Sequence, residues 1–571
     1  MSEPITHEPP ARVRLPRMAA GLGWRVGAYA VAAAVIAPLA AVLWLAFNPA
    51  ENIWPHLAAT VLPTYVVTTF LLMLGVGAAS IVIGVGTAWL VTMCRFPGRR
   101  IFEWGLLLPM AIPAYVVAYV YTDLLEFAGP VQRGLRGLFG WQSPRDYWFP
   151  EIRSLGGAIA VMSLVLYPYV YMLARAAFLE QSVGVLEAGR SLGRGPWRSF
   201  MTLAVPLARP AIVVGTTLVL METLNDFGTV DFFAVRTLTA GIFHVWLHMN
   251  NVGGAAQIAA VMLIVVLALI AMERAARRGR KFHDLRGSYR PLPAFRLAPG
   301  RRLLAVLACA TPIGLGFVVP ALVLLRHTLG AVGETSAADV LLPARNSLML
   351  SSLAALVALA AGLLLAYGLR LAGGAPGLKL ATRLASLGYA VPGAVLALGV
   401  LIPFAAFDNA LDAAMRATFG ISTGLVLSGT VVAVVFAYVA RFLAVSFGAL
   451  EASLEKVTPT MDMAARSLGQ GLGGTLRRVH LPLMRGGLFT AAILVFVDCM
   501  KELPATLILR PFNFDTLATQ VYQYASDELI RQAAPSALAI VAAGVVPVVL
   551  LSRAIAHSRP GHGTPSPTAT Y

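Results

Sequence analysis

The sequence predicts an all-α, polytopic membrane protein with about twelve transmembrane helices in two homologous six-helix halves. Only 12% of its 571 residues are charged and 58% are hydrophobic, and the mean hydropathy is +0.75. Soluble domains carry about 25% charged residues. Long apolar runs recur along the chain, and one motif occurs twice, once in each half. The solvent of this chain is therefore lipid.

Each predicted span is an uncharged run, since crossing the roughly 30 Å hydrocarbon layer takes about 20 apolar residues as a helix. Two weaker runs, Pro210–Met221 and Gly486–Val497, complete the set of twelve. The strong runs are Gly27–Phe47, Val61–Cys94, Trp104–Thr122, Leu155–Leu173 and Val252–Met272 in the first half, and Leu303–Leu325, Asn346–Leu369, Leu384–Phe407, Ala417–Ala440 and Gln532–Ser552 in the second.

The distribution of charge predicts the orientation. With twelve spans and a cytoplasmic N-terminus, most Lys and Arg residues fall on the inner side and most acidic residues on the outer side, as the positive-inside rule requires. We therefore expect a multi-pass protein of the cell inner (plasma) membrane with both termini in the cytoplasm. The net charge of +17 then reflects topology, and the lipid bilayer rather than nucleic acid is the expected partner.

The spans divide the chain into five segments. We predict a cytoplasmic N-terminal segment at 1–24, a first six-helix domain at 25–272, a basic cytoplasmic linker at 273–302, a second six-helix domain at 303–556 and a disordered tail at 557–571. The first apolar run is longer than the roughly 7–15-residue core of a signal peptide. We therefore expect it to be retained as a span.

Cysteine usage argues against a metal or redox centre. Cys94, Cys309 and Cys499 lie far apart in apolar surroundings, without a CxxC pair or clustered histidines. We expect them to be small packing residues. We predict no catalytic residue, no metal ligand and no cofactor bound by this chain.

The repeat begins with Glu187-Ala-Gly-Arg-Ser-Leu-Gly193 and ends with Leu203-Ala-Val-Pro206. Its second copy reads Met463-Ala-Ala-Arg-Ser-Leu-Gly469 and Val479-His-Leu-Pro482. The Arg, Gly and Pro positions of the two copies keep one constant separation along the chain, without a gap. Such a constant register indicates duplication of a functional element.

Both copies predict a cytoplasmic helix-turn-helix. A short helix-forming run meets Gly193 or Gly469, a residue suited to the left-handed position that ends a helix. Pro206 and Pro482 then stand where a weaker span begins, a position at which the missing N–H costs little. A cytoplasmic element is thus joined directly to a membrane helix in each half.

These residues resemble the EAA loop of permeases from binding-protein-dependent ATP-binding-cassette importers. The resemblance implies the type I importer permease fold, with loops at 187–206 and 463–482 that couple to the ATPase. The second copy departs from the pattern because Met463 stands at the acidic position, with Asp462 adjacent. By resemblance the coupling residues are Glu187, Ala188, Gly189, Arg190, Gly193, Pro206, Asp462, Ala464, Ala465, Arg466, Gly469 and Pro482.

The resemblance also implies the partners, which are two copies of an ATPase subunit and a periplasmic substrate-binding protein. No G-x-x-x-x-G-K-[ST] phosphate-binding loop occurs in the chain. We therefore expect a non-catalytic transport subunit, with ATP and Mg held by the partner ATPase.

The substrate pathway is predicted where the two weaker spans end, since paired interrupted spans in corresponding places are the best sequence pointer to a transporter's substrate region. Each span runs into an ionisable, helix-breaking stretch, 222–231 or 498–506. Ionisable groups near the membrane interior are costly and are functional candidates by default. The alternatives are that these acids anchor an outer loop or contact a docking protein. The candidates are Glu222, Asp226, Asp231, Lys501 and Glu502.

Two histidines beyond the first of these stretches, His244 and His248, have the i,i+4 spacing of ligands on one helix face. We expect this isolated pair to be interfacial packing rather than a metal site.

The sequences of residues 226–233 and 237–243, and of residues 500–506 and 510–517, resemble those of the fused ferric-iron permeases. Hard oxygen ligands suit trivalent iron, although an acidic outer face follows equally from topology. Thiamine permeases are the nearest alternative, followed by phosphonate and polyamine permeases. A secondary transporter driven by protons or sodium is a different class, which leaves the two EAA loops unexplained. A membrane scaffold or redox subunit would need paired His or Cys ligands, which the sequence lacks.

Overall fold

The structure is a computed structural model that describes residues 22–179, 181, 191, 195–277, 295–331, 333 and 336–557. Two short strands, β1 (Cys94–Arg95) and β2 (Phe295–Arg296), pair in parallel. The helices in chain order are α1 (Leu22–Phe47), α2 (Trp54–Ala59), α3 (Leu62–Met93), α4 (Arg99–Gly105), α5 (Ala114–Leu125), α6 (Pro130–Phe139), α7 (Leu155–Leu179), α8 (Trp197–Asn225), α9 (Gly228–Phe232), α10 (Leu238–Phe243), α11 (Val252–Arg277), α12 (Pro299–Gly330), α13 (Ala337–Leu371), α14 (Pro376–Ala385), α15 (Gly393–Phe419), α16 (Val431–Glu455), α17 (Pro459–Ser467), α18 (Leu472–Met500), α19 (Pro504–Leu509), α20 (Leu517–Ser526) and α21 (Ile530–His557).

The prediction of an all-α polytopic protein is confirmed. Across the described ranges, eleven helices are long and apolar enough to cross a membrane, and a bent pair raises the number to twelve. The bent pair, Arg99–Ala111 and Ala114–Phe139, turns through 90° within the predicted span Trp104–Thr122. Pro109 and Pro113 flank the break, and each removes a backbone N–H that a continuous helix would use.

The two weaker spans are longer in the structure than the sequence indicates. Each lies in the C-terminal part of a 29-residue helix, α8 or α18. One π-helical turn interrupts each helix, at Phe200–Ala204 and Leu476–His480. Pro206 and Pro482 follow shortly after these turns. A wider turn accommodates a proline, whose ring cannot face a carbonyl of the preceding α-helical turn.

One predicted span, Ala417–Ala440, was wrong in its position. α15 ends at Phe419 and α16 begins only at Val431. The Asp408 carboxylate, on α15, accepts hydrogen bonds from the N–H groups of the intervening loop, at 3.0 Å from Leu427 and 2.7 Å from Ser428. Because this loop is apolar, an uncharged run in the sequence does not reveal that the helix is interrupted there. Three glycines with positive φ lie in the interruption: Gly420, Gly424 and Gly429.

The described chain packs as two compact units, and the larger contains Pro38–Ala355, Ala390–Arg441 and 493–557. Within it, α3 and α8 both approach α7 closely. A Cβ on Gly84 would lie 2.8 Å from the Val170 Cβ, and one on Gly215 would lie 2.9 Å from the Val170 Cα. Small residues let membrane helices approach backbone to backbone, so these glycines fix the position of α8.

The smaller unit contains 22–37, Leu356–Tyr389 and Phe442–Ala492. In it, α1 lies against α13, where a Cβ on Gly368 would come within 2.9 Å of the Ala28 Cβ. The ring of Trp24 packs edge-on against Tyr367, with 4.9 Å between centroids. Tyr367 also donates a hydrogen bond of 3.0 Å to the Leu472 carbonyl, which ties α13 to the start of α18.

The predicted segment boundaries fall partly outside the described residues. Of the linker 273–302, residues 273–277 belong to α11 and 299–302 to α12, while 278–294 lie outside. Residues 1–21 and 558–571, which make up most of the predicted N-terminal segment and tail, lie outside as well. The division into two six-helix sequence halves stays a prediction.

Candidate functional site

The first predicted coupling loop lies largely outside the described residues, which exclude Glu187, Ala188, Gly189, Arg190 and Gly193. Pro206 is described and is the second residue of the α-helical part of α8 that follows the π-helical turn. The second loop is described in full.

The second coupling loop contains α17, a turn and the first residues of α18. Gly469 ends the turn of α17 with φ +77°, the left-handed conformation that its place in the repeat predicts. Its N–H donates to the Arg466 carbonyl at 2.9 Å, and the N–H of Gln470 donates to Ala465 at 3.0 Å. The sequence pattern thus identified the end of this helix correctly.

Asp462 anchors α17 to two membrane helices. Its Oδ2 accepts hydrogen bonds from Arg370 Nη2 at 2.9 Å and Nε at 3.2 Å, and its Oδ1 lies 2.6 Å from His480 Nε2. Arg370 belongs to α13 and His480 to α18. Arg370 also donates to the carbonyls of Leu454 and Val457 at the end of α16. These bonds tie α17 to α13, to the end of α16 and to α18 within this unit.

Three exposed side chains on α17 and in the turn after it are apolar. Met461, Met463 and Leu468 have 41%, 56% and 80% of their surface exposed. Ala464 and Arg466 are exposed as well, whereas Ala465 is buried. The acid of the motif thus points inward through Asp462, and Met463 points outward. The repeat did not identify Arg370, because the residue at the matched position of the first half is Cys94 and the two copies therefore share no arginine there.

The first pathway candidate, Asp226, follows α8 directly and caps α9. Its Oδ1 accepts hydrogen bonds from the N–H groups of Thr229 at 2.9 Å and Val230 at 3.3 Å, and its Oδ2 accepts one from Thr229 Oγ1 at 2.9 Å. A carboxylate at a helix N-terminus satisfies donors that have no partner within the helix.

Glu502 caps α19 in the same way. Its Oε1 accepts from the N–H of Ala505 at 3.0 Å, and its Oε2 accepts from the N–H and Oγ1 of Thr506 at 3.0 and 2.7 Å. Unlike Asp226, it also pairs with Arg441 Nη1 at 2.8 Å, and the two side chains are 1% and 9% exposed. Glu502 is therefore committed to a buried ion pair as well as a cap.

The two capped helices meet near Tyr115 of α5. A Cβ on Gly228, the first residue of α9, would lie 2.7 Å from the Tyr115 Cβ and 2.9 Å from Leu503, just before α19. Only glycine fits at this contact. Tyr115 also lies within electrostatic range of both Asp226 and Glu502. The structure thus brings the two matched acids to one region.

A second matched pair of acids, Glu222 and Asp498, interacts with the side chain of Lys501. Lys501 Nζ lies 2.9 Å from Asp498 Oδ1, and Lys501 also interacts electrostatically with Glu222 of α8. Asp498 is not among the residues that the sequence pattern singled out. The register of the repeat identifies it, because Glu222 and Asp498 stand at matched positions, as do Asp226 and Glu502.

Asp231, on α9, lies at the edge of a cleft of about 760 Å³. Its Oδ2 accepts a hydrogen bond of 2.6 Å from the Tyr522 hydroxyl. Burial, followed by the Asp231 charge, raises the pKa of Tyr522 above its ordinary value, so the phenol keeps the proton that it donates. Arg236, His244 and His248 also line this cleft.

The two histidine rings are exposed and their centroids lie 5.2 Å apart. In the part of the chain that the structure describes, no group of three or more His, Cys, Asp or Glu residues is placed to hold a metal ion. The free thiols of Cys94, Cys309 and Cys499 are all buried.

Comparison with known proteins identifies similar chains. The sequence profile described as "Binding-protein-dependent transport system inner membrane component" matches residues 72–281. The Fe(3+)-transport system permease protein FbpB 2 of Haemophilus influenzae is 28% identical over 490 residues, which cover 85% of this chain and 88% of that protein.

Two shorter relatives match part of the chain. The molybdenum transport system permease protein ModB of Escherichia coli (strain K12) is 29% identical over 35% of this chain and 88% of its own length. A probable sulfate transport system permease protein, cysT, of Chlorokybus atmophyticus is 30% identical over 38% of this chain and 76% of its own length.

Proposed function

The chain belongs to the family of binding-protein-dependent transport system inner membrane components, the permeases of ATP-binding-cassette importers, and on that premise we propose that it carries ferric iron delivered by a periplasmic binding protein. Its long apolar helices and its family make it a multi-pass protein of the inner membrane.

The observation that supports iron is the extent of the similarity. The Fe(3+) permease matches over 85% of this chain, whereas the molybdenum and sulfate permeases match over 35% and 38%. A relative that aligns with 85% of the chain aligns with the regions of both copies of the repeat. Its transported ion is therefore the best guide to the substrate of this protein.

The charge at the matched breaks supports a cation over an oxyanion. Four acids lie at or near the ends of α8 and α18: Glu222, Asp226, Asp498 and Glu502. Two basic side chains interact with them: Lys501 pairs with Asp498 and Arg441 pairs with Glu502. A carboxylate repels molybdate and sulfate and attracts a metal cation. Carboxylate oxygens are also ligands that hard cations prefer.

ATP hydrolysis is assigned to a separate ATPase present in two copies, one for each coupling loop, with ATP and Mg bound there. Met461, Met463 and Leu468, exposed on α17 and in the turn after it, provide apolar surface of the kind that a protein partner covers. The Asp462 network supports a coupling role for this loop, because it connects α17 to α13, α16 and α18.

Both termini are assigned to the cytoplasm. Twelve spans return the chain to the side on which it starts, and the basic segments then lie inside. Labelling of single cysteines introduced at the termini by a membrane-impermeant reagent, in intact spheroplasts, tests this orientation. The three native thiols are buried, so they give a low background.

Reconstitution tests the substrate. The permease is purified with its ATPase, placed in proteoliposomes, and supplied with the periplasmic protein loaded with radioactive ferric iron. We expect uptake that requires ATP and the loaded binding protein. Uptake of thiamine, a polyamine, a phosphonate, molybdate or sulfate in the same vesicles, without iron uptake, would replace iron with that substrate. Uptake driven by a proton or sodium gradient without ATP would overturn the mechanism.

A further inference from the structure

The ends of α8 and α18 carry two matched pairs of residues with i,i+3 spacing. Glu222 and Asn225 end α8, and Asp498 and Lys501 stand at the matched positions of the second copy. Side chains three residues apart lie on the same helix face. On its own face, one turn further along, each acid therefore has a polar neighbour, which is a carboxamide in the first half and an ammonium in the second.

The Lys501 ammonium interacts with both acids, Asp498 and Glu222. Lys501 Nζ forms an ion pair of 2.9 Å with Asp498, and it also attracts Glu222, which belongs to the other copy of the repeat. The two carboxyl side chains thus share one positive charge that is attached to the protein through a flexible four-carbon chain.

Two buried polar side chains lack a hydrogen-bond partner among the described residues: Asn225, which follows Glu222 by one helical turn, and Tyr115. Asn225 is 4% exposed, and neither end of its carboxamide has a hydrogen-bond partner among the described residues. Tyr115 is also 4% exposed, its hydroxyl has no such partner within the described ranges, and it packs at Gly228 together with Leu503, two residues after Lys501. Buried polar groups are normally bonded, so an unpartnered carboxamide and phenol point to a ligand or water that occupies this place in another state.

We propose that Glu222, Asn225, Asp498 and Tyr115 form a transit site for a hard, multivalent metal cation, and that the Lys501 ammonium occupies this site between transport cycles. All four side chains offer oxygen atoms, the ligands that hard cations prefer. An arriving cation of higher charge displaces Lys501, and the ammonium returns when the cation leaves. The site passes its ion on because a built-in competitor limits its affinity.

This inference rests on the proposed function, because it names the place where the proposed substrate crosses the level of the two matched acids. It goes further, however, since it predicts a measurable binding property of the permease itself. That property does not require the periplasmic binding protein or transport.

Terbium luminescence tests the site. Tb³⁺ is a hard trivalent ion whose emission is sensitised by a nearby tyrosine, and Tyr115 provides that signal. The permease with its ATPase, in lipid nanodiscs, is titrated with Tb³⁺. We expect Lys501→Met to bind Tb³⁺ about tenfold more tightly than the wild type, because a competing charge a few ångströms away has been removed. Lys501→Arg should keep the wild-type affinity, and Lys379→Met, which removes an exposed lysine elsewhere, should leave it unchanged.

A second variant makes the test independent of the lysine. Asn225→Asp adds a carboxylate while Lys501 stays in place, and we expect it to tighten Tb³⁺ binding by about tenfold. Lys501→Met with Glu222→Gln and Asp498→Asn should abolish the sensitised signal. Unchanged Tb³⁺ affinity in both Lys501→Met and Asn225→Asp would overturn the proposal.

The outcome is separable from that of the iron assay. If wild-type vesicles take up ferric iron but these variants bind Tb³⁺ as the wild type does, the function stands and this site is wrong. If the variants bind Tb³⁺ as predicted but the vesicles carry another cation instead of iron, the site stands and the substrate is wrong.

Discussion

Asp226 and Glu502, which stand at matched positions of the repeat, cap two short helices with the same pair of hydrogen bonds, from the N–H groups three and four residues further along the chain. A threonine hydroxyl, of Thr229 or Thr506, donates to the same carboxylate in each half, although these two threonines do not stand at matched positions. The repeat is therefore preserved in hydrogen-bond geometry as well as in sequence. Among the residues that the structure describes, Glu502 alone of these two acids adds a partner of opposite charge, Arg441.

This difference predicts unequal effects of two matched substitutions. Glu502→Gln leaves the buried Arg441 without its charge partner, and we expect a loss of about 3 kcal/mol of stability. Asp226→Asn keeps an oxygen acceptor for the N–H groups of α9, and we expect a loss of about 1 kcal/mol. Denaturant unfolding of the detergent-solubilised protein measures both values.

The double variant Glu502→Gln with Arg441→Met provides the control. It removes both charges, so it should be more stable than Glu502→Gln alone. Equal losses for Glu502→Gln and Asp226→Asn would show that the Arg441 pair contributes no more than a surface contact.

The sequence identifies the capping acids because both copies of the repeat contain them. It does not identify Arg441, since the matched residue of the first half is Val165, and a single arginine in an apolar helix gives no hint of its partner. The sequence does not identify Arg370 either, since the matched residue of the first half is Cys94. Duplication makes the shared features of the two halves visible, whereas each half's own ion pairs depend on tertiary packing.

Composition locates the membrane spans well and their interruptions poorly. The break between α15 and α16 is apolar throughout, and the Asp408 carboxylate that fixes it stands inside a helix. The 90° bend before α5 depends on Pro109 and Pro113, which hydropathy does not register. An apolar residue scores the same in a helix and in a loop.

The second coupling loop should lose its function without loss of the membrane fold when Gly469 is replaced. Gly469→Pro cannot adopt φ +77° and removes the N–H that bonds to Arg466. We expect normal insertion, continued ATP hydrolysis and reduced iron uptake per ATP, measured in proteoliposomes. Gly469→Ala should be milder, with a strain of about 1 kcal/mol.

Gly473→Ala is the matched control for that substitution. Gly473 lies in the same loop without positive φ, and an added Cβ would meet no atom within 4 Å. It should transport normally. If Gly469→Pro also transported iron at the wild-type rate per ATP, the loop would not be a coupling element.

One copy of this chain should form the whole membrane part of the transporter. The chain already contains both copies of the repeat, so a second permease would duplicate the pathway. Native mass spectrometry of the purified complex should give one 60.4 kDa chain with two ATPase subunits. A complex with two copies of this chain would contradict the prediction.

The anchoring of α17 by Asp462 predicts coupling between residues on different helices. Asp462 is 23% exposed and Arg370 is 20% exposed, so their charge-assisted bonds are partly shielded from water. We expect Asp462→Asn and Arg370→Met each to destabilise this unit by about 2 kcal/mol, and the double variant to lose clearly less than both together. Asp462→Asn should also lower iron uptake per ATP, because α17 is then held less firmly to α13 and α18.

Met463→Ala, which removes only an outward side chain of the same helix, keeps the anchor and should keep the stability, as unfolding measurements would show. Additive losses in the double variant would mean that Arg370 stabilises the end of α16 independently, through Leu454 and Val457, and that Asp462 does not hold the coupling helix.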